Sequence, residues 1–150
     1  MTIDLILASV HHLAVFALLG LLVAEWVLVR PGLDAAALQR VGRVDAAYGG
    51  VAVLVLVAGF ARVFFGLKGS AYYLGNPMFW TKLGLFVAIG LVSIVPTLRF
   101  VAWRRALKQQ QGALPDAAAI LGTRRLIGWQ LGAFALLPVV AAALARGVGL

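Results

Sequence analysis

Two adjacent histidines, His11 and His12, stand inside an apolar run from Ile3 to Val29, and they are the only histidines in the chain. An ionisable side chain in hydrocarbon is costly, so one found there points to a site with a partner to be named. Imidazole admits three uses in that setting: an axial ligand to haem iron, a proton-carrying group, or an interhelical hydrogen bond with no chemistry. Neighbours on a helix diverge by about 100°, so the two rings cannot converge on one point and one faces a bundle better than the other. A bis-histidine haem is thereby excluded within one chain. A five-coordinate haem, or His12 opposed by Lys82 or Met78, stays open. A dedicated zinc or copper site is not indicated, because His-x3-His spacing is missing and the chain has no cysteine.

Lys82 follows Trp80 at the start of another apolar run. A snorkelling side chain would account for it there. Turned inward, it becomes a candidate base or carboxylate clamp, and Arg62 could hold a propionate-like anion beside it. Glu25 falls fourteen residues after His11. That places it within about 40° of the same helical face but about 21 Å further along, too far for contact. Its expected role is a structural ion pair with Arg40, Arg43 or Arg99, since an unpaired carboxylate in hydrocarbon is unstable as an anion.

These residues need elements to position them, and composition names the elements. The chain is 63% hydrophobic and 12% charged, with a mean hydropathy of +1.02. A soluble domain is only about half apolar. Hydrocarbon about 30 Å thick requires roughly 20 apolar residues in a helix, and four windows meet that length: 3–29, 44–65, 78–99 and 126–144. The first lacks a basic leader, carries Asp4 and is too long for a signal peptide, so it is expected to be retained. The fold class is therefore all-α: a single-domain, four-helix, up-and-down bundle integral to the membrane.

The net charge of +8 could suggest nucleic acid, but its distribution sets topology instead. Arg30, Arg40, Arg43, Arg99, Arg104, Arg105, Lys108, Arg124 and Arg125 fall in or beside the first and third connections. Arg62, Lys68, Lys82 and Arg146 lie at the opposite ends. This bias puts the two connections in the cytoplasm and both termini outside, with the lipid bilayer as partner and no nucleic acid. The arginines could also hold anionic headgroups.

Asp34 and Asp116 are each placed to cap a short interfacial helix, over 35–41 and 117–121, in the cytoplasmic loops. Gly75-Asn76-Pro77 and Gln109-Gln110-Gln111-Gly112 punctuate the other connections. Pro96 and Pro138 are expected to bend the third and fourth spans. The pairs Gly20/Ala24, Gly84/Ala88 and Gly128/Gly132 predict close helix packing, and could serve a homo-oligomer. Trp26, Trp80, Trp103 and Trp129 lie near span ends as anchors.

Successive antiparallel spans sort the polar residues into two layers. His11, His12, Arg62 and Lys82 gather toward the outer leaflet, with Tyr72 and Tyr73 above them. Glu25, Asp45, Tyr48, Arg40, Arg43 and Arg99 gather toward the inner one.

Val10-His11-His12-Leu13, Arg43-Val44-Asp45-Ala46-Ala47-Tyr48-Gly49 and Trp80-Thr81-Lys82-Leu83 resemble a family of uncharacterised bacterial membrane proteins, domain of unknown function 2214, over essentially the whole chain. More remotely the chain resembles the HemJ-type protoporphyrinogen oxidases and the copper-resistance protein D group, which share an early first-helix His and a Lys-Leu early in the third helix. The resemblance implies a bacterial cytoplasmic membrane, and haem b as a cofactor held near His12 (or His11) and Lys82. The third helix reads Leu91-Val92-Ser93-Ile94-Val95-Pro96 where HemJ-type proteins carry Tyr-His, so it implies no second ligand there. Three readings follow: a haem- or porphyrin-binding membrane protein; a non-enzymatic scaffold or transport-associated protein whose polar residues are structural; or proton or metal-ion movement along the two polar layers, which needs a wet path from His11 to Glu25.

Overall fold

Hydrocarbon cannot satisfy a free N–H or C=O, so a chain this apolar closes its backbone hydrogen bonds within helices. The computed structural model describes residues 2–109 and 114–149, and every regular element among them is helical. The order is α1 (Thr2–Leu28), α2 (Ala35–Phe65), α3 (Gly69–Leu74), α4 (Pro77–Gln109), α5 (Ala117–Phe134) and α6 (Leu136–Ala145). Helices α1, α2, α4 and the α5–α6 pair are each long and apolar enough to cross a membrane. Part of the expected third punctuation, Gln110-Gln111-Gly112, lies outside the described residues.

The two short interfacial helices do not exist as separate elements. Asp34 Oδ1 accepts the Ala37 N–H at 2.6 Å, and Asp116 Oδ1 accepts that of Ala119 at 2.6 Å. Both aspartates cap helices as expected, but the helices then run on into the spans, because nothing between 41 and 44 or between 121 and 126 breaks them. An extra short helix, α3, fills the connection between α2 and α4 instead.

Helix α1 packs along α2, α2 against α4, α4 against α5 and α6, and α5 back against α1. The ring therefore closes at its arginine-rich end, where α1 meets α5. At the end holding both termini, α1 and α6 make no backbone approach. In the fourth span, Pro138 has no N–H to offer the carbonyl of Phe134, and the helix is interrupted at the single residue Ala135. Pro96, by contrast, sits buried inside α4 without interrupting it.

Leu18, Leu22, Val41, Phe100 and Ile127 form the centre of the packed interior. The small-residue pairs do not supply the close approaches, since an added Cβ at Gly20, Gly84 or Gly132 would meet nothing within 4 Å. Those glycines face outward, and of the glycines in these pairs only Gly128 lies against a neighbour, the Trp26 ring. The tight crossings occur at Gly42, under Arg104, and at Gly59, under His11.

In lipid, tails are as apolar as leucine, so a buried side chain stabilises through packing rather than through transfer from water. Leu22→Ala, at a position with 0% exposure, is expected to cost about 2 kcal/mol or more. Leu91→Ala, 62% exposed on the outside of the bundle, should cost less than about 0.5 kcal/mol. Denaturant or thermal melts of the detergent-solubilised protein, followed by tryptophan fluorescence, measure both.

Candidate functional site

The gap between α1 and α6 continues inward as a cavity of about 550 Å³. Its walls are mostly apolar, and Val15, Phe16, Leu19, Phe86, Leu131 and Phe134 supply much of them. Its polar groups are His11, His12, Arg62, Lys82 and Tyr73. Of the residues grouped from the sequence toward the outer leaflet, His11, His12, Arg62, Lys82 and Tyr73 thus share one cavity, although they come from four separate helices, while Tyr72 does not line it.

Each histidine is held by one nitrogen. His11 is 6% exposed and donates Nδ1–H to the Val55 carbonyl of α2 at 3.1 Å. A carbonyl can only accept, so that contact fixes the tautomer and leaves Nε2 as a free lone pair. His12 is exposed, and its Nδ1–H donates to the Ala8 carbonyl one turn back at 2.6 Å. Its Nε2 is likewise left free. The ring centroids lie 6.0 Å apart with planes at 78°, so the rings do diverge, yet both reach the cavity wall. A metal-binding histidine characteristically donates its second ring nitrogen to a carbonyl in this way. Among the described residues there is no cluster of three or more His, Asp or Glu able to hold a bare metal ion.

Arg62 and Lys82 form an uncompensated cation pair. Among the described residues no carboxylate lines the cavity. Arg62 Nε is buried without an acceptor, and the charge acting on Lys82 is that of Arg62. Lys82 lies half-buried in the wall, so the inward orientation holds and snorkelling does not describe it. Tyr72 is taken up elsewhere, its hydroxyl donating to the Leu144 carbonyl at 2.7 Å. With Lys68, which donates to the Ala145 carbonyl at 3.1 Å, it ties α3 to the end of α6. Asp4 accepts the Leu67 N–H at 3.2 Å and fastens α1 to the same connection.

The second layer departs from its expected arrangement. Glu25 is 3% exposed, and its Oε1 is buried with no partner, so the ion pair with Arg40, Arg43 or Arg99 does not form. Arg40 and Arg43 point to the exterior. Arg99 donates instead to the Thr123 hydroxyl at 3.0 Å. Arg124 lies over the Trp26 ring at 3.8 Å and donates to the carbonyls of Trp26 and Val29. Asp45 accepts from the Thr97 hydroxyl at 2.6 Å, and with Tyr48 and Ser93 it lines a second cavity of about 330 Å³ between α2 and α4.

Val55, Gly59, Thr97, Thr123 and Gln130 all matter to these layers, and sequence reasoning passed over them. Gln130 had a signal, being an amide in an apolar span, and polar groups there call for a partner. Gly59 had none, because only the crossing of α1 over α2 makes a missing side chain necessary.

The family described as Predicted membrane protein (DUF2214) matches residues 3–149. Comparison with curated proteins and with solved structures gave no match.

A Cβ at Gly59 would stand 3.2 Å from His11 Cε1, tighter than ordinary contact. Gly59→Val should therefore displace the imidazole from the Val55 carbonyl and cost about 1–3 kcal/mol. With His11→Ala in the background the penalty should fall to less than half, a coupling read directly from a double-mutant cycle on the melting transition.

Proposed function

The chain belongs to the DUF2214 family of predicted membrane proteins, and from that premise and the cavity's lining we propose that it binds haem or a related porphyrin in the α1–α6 cavity. The observation that carries this reading is the pairing of free histidine Nε2 atoms with an uncompensated Arg62–Lys82 pair in one apolar cavity. A porphyrin is a flat, apolar body with two acidic side chains, and each part meets its complement. The volume lies within the range of about 300–1,000 Å³ used for small-molecule sites.

In this reading a first-helix histidine would be the single protein ligand. The hydrogen bonds to Val55 and Ala8 set the ring orientations and keep Nε2 basic. Arg62 and Lys82 would hold the acidic groups, the guanidinium in bidentate fashion. A bound haem would supply one-electron chemistry. The remote likeness to HemJ-type proteins, through the His and Lys-Leu positions, supports the same assignment. The excess of arginines at the closed end would place that end in the cytoplasm and the cavity toward the outer leaflet of a bacterial inner membrane.

Detergent-purified protein expressed with haem supplied should show a Soret band, lost in the His11→Ala/His12→Ala double variant. The two single variants identify the ligand. Colourless protein under those conditions would sink the reading. Arg62→Gln with Lys82→Gln should keep the band position but weaken haem affinity about tenfold or more, measured by titration, because charge-assisted hydrogen bonds are lost while the histidines remain.

A further inference from the structure

The cavity that holds both histidines is exposed along one side. None of its lining residues on α4 is exposed, and on α2 only Phe60 is. The other exposed ones lie on α1 and the fourth span, among them His12 and Phe16 on α1 and Pro138, Ala142 and Ala145 on α6. No Cα of α1 comes within 8 Å of one in α6, so these two rows border a slot.

The slot lies at the depth of hydrocarbon. His12 is about 15 Å from the start of α1 and Phe16 about 21 Å, which is the middle of a layer about 30 Å thick. Leu13 beside them, and Leu136 and Val139 on α6, are exposed too, so the flanks of the slot are apolar. The end that holds the termini is different. There Tyr73 of α3 lines the cavity, and the contacts of Asp4 with Leu67, Tyr72 with Leu144 and Lys68 with Ala145 hold the connection in place.

Polarity inside the cavity is graded with depth. Arg62 lies about 5 Å from the end of α2 and Lys82 about 8 Å from the start of α4, while Leu19, Phe86 and Leu131 continue the wall deeper. A membrane leaflet has the same order, charged near the surface and apolar below. An amphiphilic acid lying in that leaflet therefore already has the orientation the cavity asks for. Arriving from water, its apolar body would first have to pass the charged end beside α3.

We propose that the cavity is loaded sideways from the bilayer: a membrane-dissolved amphiphilic acid, here the porphyrin, passes between α1 and α6 with its carboxylates toward Arg62 and Lys82. Phe16 and Ala142 border its path, and His12, exposed on the rim, is the first imidazole it meets. The proposal rests on the porphyrin reading for the identity of the ligand and on the slot for the route.

A chain without cysteine lets introduced thiols test this. Phe16→Cys with Ala142→Cys, in vesicles carrying haemin in their lipid, is bridged with bis-maleimides of graded length. Bridging should slow the growth of the Soret band by roughly tenfold or more, because a closed path acts on rates. Protein bridged after loading should keep its band position and release haemin as slowly. Bridged protein that fills at the unbridged rate overturns the route. Wild-type protein that stays colourless sinks the porphyrin reading instead, and a nitroxide on Ala141→Cys, a half-buried lining position, then decides the route. The same label decides should the double variant fail to fold. Lipid-soluble oxygen should relax it more than a water-soluble nickel chelate does, as for a label on Leu91→Cys outside the bundle. The reverse order overturns the lateral opening.

Discussion

The insolubility of a bare polar group in hydrocarbon governs this molecule. It forces the described backbone into helices, and it also decides where each polar side chain can stay. Most comply locally: Thr81 and Thr123 donate to carbonyls one turn back, and Ser93 to that of Gly90. Arg124 complies at longer range, reaching across to the last carbonyls of α1, which have no helical donors of their own. Against that background, the groups left without a partner stand out by their rarity. Among the described residues they are Glu25 Oε1, both amide atoms of Gln130, Arg62 Nε, Arg104 Nε and Asn76 Nδ2.

The packing of the fourth span leaves an opening in the bundle. Helix α5 packs on both α1 and α4, whereas α6 packs on α4 and makes no approach to α1. Instead α6 follows α4, α1 stays with α2, and the space between them becomes the apolar cavity. Asp4, Lys68 and Tyr72 tie the ends of α1, α3 and α6 to the same connection, so the gap has a stitched rim as well as a closed base. A packed bundle thereby contains a volume large enough for a ligand without losing the interior around Leu18, Leu22 and Phe100.

Much of the site was legible because antiparallel spans convert sequence position into depth. That rule alone brought His11, His12, Arg62 and Lys82 to one level. It could not assign rotation, so it missed that both imidazoles reach the cavity and that Lys82 turns inward. It also misassigned Glu25. Charge counting offers three arginines at the right depth, but Thr123 and the chain's exterior claim them, and no pattern in the sequence records that competition. The small-residue pairs misled for a similar reason. Spacing of four residues identifies a smooth face, and whether that face meets a helix or the outside depends on rotation about the axis.

Composition and hydropathy by themselves determined the solvent, the number of spanning helices, their caps and the depth of each polar layer, because these follow from the local chain and the thickness of hydrocarbon. The tertiary structure decided which partner each polar atom finds, which glycine must stay bare under His11, and where the bundle opens. Those outcomes depend on helix rotation and on α6 packing against α4 and not α1. Both are settled by side chains distant in sequence competing for the same space and the same hydrogen bonds.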